Sequence, residues 1–210
     1  MAQPSVKAPD RTATPDPEQL IPSQRQRRDR ILQSALRLLQ RQDYDQILMK
    51  DVAAGADVAI GTVYRYFPSK ERLFAEALVQ WSQQRQERAG DTPIPGDTPA
   101  ERLKAAYHLA LRAFERRPGM YRAQFALLAS RDPEVEAVFK VFQSRTRQRF
   151  VDALEGLSTA DIDAVNSVMN AVLVESLSRW SLGRTDMASA HAAIDRAVDL
   201  IFSAPPGSRG

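Results

Sequence analysis

Eight consecutive residues, Ile60-Gly61-Thr62-Val63-Tyr64-Arg65-Tyr66-Phe67, hold side chains suited to reading a nucleic acid. Arg65 is the one residue among them able to bridge O6 and N7 of guanine, and Thr62 can hydrogen-bond to a base edge or touch a thymine methyl. Tyr64 and Tyr66 offer phenolic hydroxyls to phosphate oxygens. Gly61, with no side chain, lets the backbone approach a duplex closely. Val63 and Phe67 lie four residues apart on one helical face and are expected to point inward, leaving Thr62, Tyr64, Arg65 and Tyr66 to reach outward. Catalysis has no visible apparatus. The chain lacks a P-loop, a Gly-x-Ser-x-Gly elbow, a His-Glu-x-x-His helix and a dinucleotide fingerprint. It has no Cys and only two His, His108 and His191, far apart in sequence, so neither a metal nor another cofactor is expected.

A reading surface needs a scaffold, and the flanking sequence supplies one. Ile31, Ala35, Leu38 and Leu39, widened by Leu32 and Leu36, form the stripe of an amphipathic helix over residues 24–42. A short second helix fits Met49, Val52, Ala53 and Ala56, and a third fits residues 60–66. Two short helices joined by a tight turn match a helix-turn-helix, whose second helix enters the major groove. The turn needs a residue that tolerates the left-handed region, which Asp57 does at modest cost. Ser69 then caps a fourth helix reaching about Arg88, with Leu73, Phe74, Ala77, Leu78 and Trp81 as its buried stripe. Between Arg25 and Lys70 there are nine basic and five acidic residues. The basic excess is local: Arg25, Arg27, Arg28 and Arg30 cluster at the first helix, with Arg27 and Arg28 expected to contact DNA, and Lys50 and Lys70 bracket the unit.

The whole chain has 210 residues, net charge +3 and 43% hydrophobic residues, enough for a sizeable core. No apolar run approaches the ~20 residues that span a bilayer, and the Pro-rich start has no signal-peptide core, so a cytoplasmic protein without membrane association is expected. Residues 1–23 hold five prolines and no apolar periodicity, and are expected to be a disordered tail. Further start signals stand at Thr98-Pro99, Asp132-Pro133, Ser158 with Asp161, and Thr185. Alternating β-branched runs are absent. The fold class is therefore all-α.

Residues 24–81, above all A-D-V-A-I-G-T-V-Y-R-Y-F-P-S-K from Ala56 to Lys70 after D-V-A-A at Asp51 to Ala54, resemble the N-terminal domain of the tetracycline-repressor (TetR) family. The resemblance implies about nine helices: a three-helix DNA-binding domain over residues 24–70, then a helical ligand-binding and dimerisation domain over 71–204. It also implies a homodimeric repressor that pairs through its last two helices. Position by position, it places Met49 and Lys50 at the start of the second helix facing DNA, and Ile60, Gly61, Thr62, Tyr64, Arg65 and Tyr66 on the recognition surface. Lys70 would bind phosphate. The sequence departs from the family pattern at Asp57, commonly Gly, at Ala59, commonly Ser, and at Ile60, commonly basic. More narrowly, A-D-V-A-x-G-T-x-Y-R-Y-F and the Ser-Leu-Ser-Arg-Trp segment ending at Trp180 are similar to actinobacterial regulators of sterol and lipid breakdown in that family.

Large apolar residues recur at helical spacing in the second half, where most serve core packing. As an ensemble, Tyr107, Phe114, Tyr121, Phe125, Phe142, Met169, Leu173 and Trp180 could line an apolar cavity, with Asn166, Asn170 and Glu175 as polar fixtures. Val165, Val168, Val172, Ala188, Ala192, Ala193, Ala197, Leu200 and Ile201 suit an isologous dimer contact. These features lead to a repressor that binds a palindromic double-stranded operator and leaves it on taking up a largely hydrophobic effector. A helical lipid carrier and a nonspecific DNA-binding protein are the alternatives.

Overall fold

The computed structural model describes residues 17–89 and 93–203. Nine α-helices and two short 3-10 turns make up its regular structure, as the all-α expectation required, and no strand occurs among the described residues. The helices are α1 (Pro22–Leu38), α2 (Met49–Ala56), α3 (Ile60–Tyr66), α4 (Lys70–Ala89), α5 (Pro99–Glu115), α6 (Pro118–Leu128), α7 (Pro133–Ala153), α8 (Thr159–Ser181) and α9 (Met187–Ser203).

The start signals act as capping theory demands. Thr98 Oγ1 accepts the amide N–H of Glu101 at 3.2 Å while Glu101 Oε2 accepts the N–H of Thr98 at 3.1 Å, so two orphan donors of α5 are satisfied reciprocally. Ser69 Oγ takes the N–H of Arg72, Asp132 that of Glu134, and Ser158 that of Asp161. At the last helix the cap is Asp186, whose Oδ1 accepts the N–H of Ser189, rather than the expected Thr185. The first helix ends at Leu38, four residues short of the expected 42. Residues 1–16 of the expected tail lie outside the described residues. The remainder of that stretch corrects the expectation of disorder: Pro17–Gln19 form a 3-10 turn, Leu20 is buried, and α1 already begins at Pro22.

The head is built around Ile31, Ile47, Val52, Val63 and Phe67, all fully buried. Ser34 Oγ donates to the Val52 carbonyl at 3.0 Å and Arg37 to the Gly55 carbonyl at 2.8 Å, locking α1 to α2. The two helices come close at Gly55, where a Cβ would stand 2.4 Å from Ser34 Oγ. The turn after α2 places Asp57 in the left-handed region, φ 54°, the only non-glycine with positive φ among the described residues.

Helix α4 ties the head to the rest. Its Leu73, Phe74, Ala77 and Leu78 are fully buried, and it packs against α1, α6 and α7. A charge chain crosses the same joint: Arg28 of α1 pairs with Glu76, Arg72 pairs with Glu76 at 2.7 Å, and Arg72 reaches Glu134 of α7 at 3.2 Å. Helices α5, α8 and α9 complete the far side, α9 lying against both others.

Candidate nucleic-acid interface and apolar cleft

The head presents one open face at α3 and the start of α2. Ile60 (46% exposed), Gly61, Tyr64 (48%) and Arg65 project from it, with Thr62 half-buried beside them and Lys50 exposed on α2. Nothing lies within 4 Å of the space a Cβ on Gly61 would fill, so this glycine serves no internal packing and keeps the surface low. Arg65 holds its guanidinium 5.3 Å from the centre of the Tyr66 ring, a cation–π contact that leaves its five donors available. Arg27 is half-buried on α1.

Three expected contact residues are corrected. Tyr66 is 3% exposed and its hydroxyl is buried without a partner among the described residues, so its ring belongs to the core. On a two-turn helix Tyr66 stands three residues after Val63, and both fall on the face turned toward the head's interior. Met49 is likewise buried, because α2 needs an apolar side chain on its inner stripe together with Val52, Ala53 and Ala56. Arg28 turns inward to Glu76 and stacks over the Phe67 ring at 5.2 Å. Burial holds its guanidinium below the ordinary arginine value. Lys70 is half-buried at the start of α4, its ammonium 4.3 Å from the Tyr44 ring centre and 3.4 Å from the Asp45 carbonyl oxygen, to which it donates.

In the second half, a partly open cleft lies between α4, α5 and α7. Trp81, Phe114, Phe142 and Phe150 form its apolar walls, and Arg85 and Arg149 are its charged residues. Of the residues expected to bind ligand, only Phe114 and Phe142 line this cleft. Tyr107 is buried behind it, stacked on Phe150 at 4.1 Å. Tyr121 donates or shares its hydroxyl with the Val174 carbonyl and Ser178 Oγ, joining α6 to α8. Met169 and Leu173 are buried packing residues, and Trp180 is half-buried against the core. Phe125 (53% exposed) and Asn170 face outward, so the expected cavity role is corrected for both. Asn166 is buried instead, with both amide atoms unpartnered among the described residues. The sequence reading passed over Trp81, Arg85, Arg149 and Phe150 as ligand residues. Their signal was an arginine beside an aromatic within otherwise apolar stripes, Trp81 with Arg85 one turn apart and Arg149 next to Phe150.

His108 and His191, remote in sequence, meet edge to face with ring centres 4.5 Å apart. His108 Nε2 lies 2.8 Å from Asp195 Oδ1, close enough to pair when the imidazole is protonated, but the two atoms are not aligned for a hydrogen bond. Among the described residues no group of three or more His, Cys, Asp or Glu is placed to hold a metal ion. No described helix is long and apolar enough to cross a membrane.

The sequence matches the family model described as bacterial regulatory proteins, tetR family, over residues 31–77, and that of the tetracyclin repressor-like C-terminal domain over residues 96–201. It is 34% identical over 191 residues to the HTH-type transcriptional repressor KstR of Rhodococcus jostii, covering 89% of this chain and 87% of that protein. To KstR of Mycolicibacterium smegmatis it is 33% identical over 184 residues, 86% of this chain and 89% of that protein. A solved TetR transcriptional regulator from Rhodococcus sp. RHA1 superposes with a TM-score of 0.72 at 27% identity, over 87% of this chain and 98% of that one. A helix-turn-helix with an open, arginine-bearing third helix, joined by α4 to a helical domain, is thus matched over nearly its whole length: the chain belongs to the TetR family and is a DNA-binding transcriptional regulator rather than an enzyme.

Proposed function

We propose that the protein is a cytoplasmic repressor whose homodimer docks two heads on a palindromic operator and leaves it when a largely hydrophobic small molecule enters the cleft between α4, α5 and α7. The observation that carries this reading is the continuity of α4. One helix contributes Leu73, Phe74 and Leu78 to the joint with the head and Trp81 and Arg85 to the cleft. A ligand that displaces α4 moves the head with it, and its effect is limited by its differential affinity for the two arrangements.

Dimerisation through α8 and α9 is supported by the apolar groups these helices leave uncovered. Val168 is 52% exposed, with exposed Ala164 and Ala171 one turn to either side, and Leu200 is 76% exposed. Apolar residues of this size left open on adjacent helices suit a self-complementary contact about a twofold axis. The two heads would then meet half-sites about 34 to 36 Å apart, or a multiple of one turn. In the major groove Arg65 and Thr62 read bases, while Tyr64, Lys50, Arg27 and Lys70 contact or approach phosphates.

The test is selection of bound duplexes from a random DNA pool with the full chain, with and without a crude lipid extract. Enrichment of an inverted repeat that disappears with extract supports the reading. Binding without an enriched sequence would replace it by nonspecific DNA binding, and no DNA binding at all would favour a helical lipid carrier.

A further inference from the structure

Three half-buried arginines outside the cleft, Arg28, Arg72 and Arg102, have neutralising or hydrogen-bonding partners. Arg28 and Arg72 share Glu76, Arg72 also reaches Glu134, and Arg102 donates to the carbonyls of Ala153 and Glu155. The two cleft arginines have no such partner among the described residues. Arg149 Nε is buried and has no hydrogen-bond partner among the described residues. Arg85 rests over the Trp81 ring at 5.0 Å, and among the described residues neither it nor Arg149 makes an ion pair. Burial, then the nearby cations Arg149 and Arg117, draw the Arg85 guanidinium below the ordinary arginine value, and no carboxylate counters them. Unpaired positive charge beside an aromatic wall is costly to hold in the free protein, and an incoming anion removes that cost. A guanidinium fork matches the two oxygens of a carboxylate or phosphate, and displaced water strengthens the pairing.

We propose that the cleft selects amphipathic anions, with the hydrocarbon body against Trp81, Phe114, Phe142 and Phe150 and the carboxylate or phosphate held by Arg85 and Arg149. This rests on the reading of the cleft as the effector site and narrows it: a neutral lipid of equal length is a poor effector. Trp81 forms part of the wall, so occupancy alters its emission directly.

The experiment uses full-length protein carrying Trp180→Phe, so that Trp81 is the only reporter. It is titrated below micelle-forming concentrations with dodecanoate, dodecyl phosphate and 1-dodecanol. At least one anion is expected to bind tenfold or more tightly than dodecanol, and the better of the two identifies the headgroup class. In Arg85→Gln and Arg149→Gln the ratio of anion to dodecanol affinity is expected to fall toward one, and Arg149→Lys to restore part of it. Thermal midpoints confirm that each variant is folded. Equal affinity for the three probes, or an anion preference that survives both glutamine variants, overturns the proposal and leaves the apolar effector reading in place. No saturable change with any probe overturns both.

Discussion

Gly119 meets Leu39 so closely that a Cβ on the glycine would stand 2.0 Å from the Leu39 carbonyl oxygen and 3.1 Å from its carbon. Gly119 lies in the first turn of α6 and Leu39 caps α1, so the contact seats the second domain directly on the end of the head's first helix. The ion pair of Arg122 with Asp43 flanks the same seam. Because the obstructing atom belongs to backbone, Gly119→Ala forces the two helices apart. It is expected to cost about 3 kcal/mol, read as a fall in thermal midpoint of roughly 6 to 12 °C. An unchanged midpoint would show that this seam is not part of the folded state in solution.

Arg65 and Arg28 sit in the same head and are expected to fail differently. Arg65→Ala removes an exposed base-reading side chain and should cost about 1 to 3 kcal/mol of operator binding, relaxing preference at one base position while leaving stability intact. Arg28→Ala leaves Glu76 with Arg72 alone and uncovers Phe67, so its loss should appear in thermal stability. Lys70→Ala should weaken all duplexes alike and reduce the salt slope by about one. Operator-affinity measurements at several salt concentrations, paired with melting curves, separate the three.

Asp57 occupies the left-handed region where glycine is the residue of least strain. Asp57→Gly should raise stability by up to about 1 kcal/mol, and Asp57→Val should lower it by about 1 to 2 kcal/mol, since β-branching makes this backbone conformation costlier. Denaturant midpoints at constant m-value decide the matter.

Buried Asn166 brings an amide into the core without a partner among the described residues. Replacing it by leucine, whose side chain has the same branching and number of heavy atoms, removes that desolvation cost and is expected to stabilise the protein by about 1 to 2 kcal/mol. A destabilised Asn166→Leu would mean that the amide is hydrogen-bonded in solution.

His191 faces His108, Arg112, Glu115 and Asp195 between α5 and α9. Burial first, then His108 and Arg112, lower its pKa from the ordinary 6.5. With the folded pKa below the unfolded one, the unfolded chain binds more protons between them, so stability rises with pH through that window. The contribution is complete above about pH 6.5 and fades on acidification toward the lowered folded value. His191→Gln should flatten the slope of melting temperature against pH below 6.5, and an unaltered slope would assign it to other groups.

Helix starts were legible because a cap is a contact between residues two or three apart. Thr98 with Glu101, Asp132 with Glu134 and Ser158 with Asp161 each close within one turn, and the structure places them as read. The turn at Asp57 was legible for the same reason. Where several residues share a short helix, local pattern was insufficient. Tyr64, Arg65 and Tyr66 all have polar ends, yet Tyr66 is covered while its neighbours are open, since only the position of α3 against the rest of the head says which side is inside.

The 210 residues by themselves determined an all-helical chain, the helix-turn-helix and its local basic excess, because periodicity, caps and charge counts depend on neighbours along the chain. Tertiary structure alone decided which aromatics face the cleft and which fill the core, why Arg28 serves the joint rather than a phosphate, and how His108 meets His191. Each of these depends on where one helix comes to rest on another. That placement is set by close packing such as the approach of Gly119 to Leu39, between residues that are far apart in the chain.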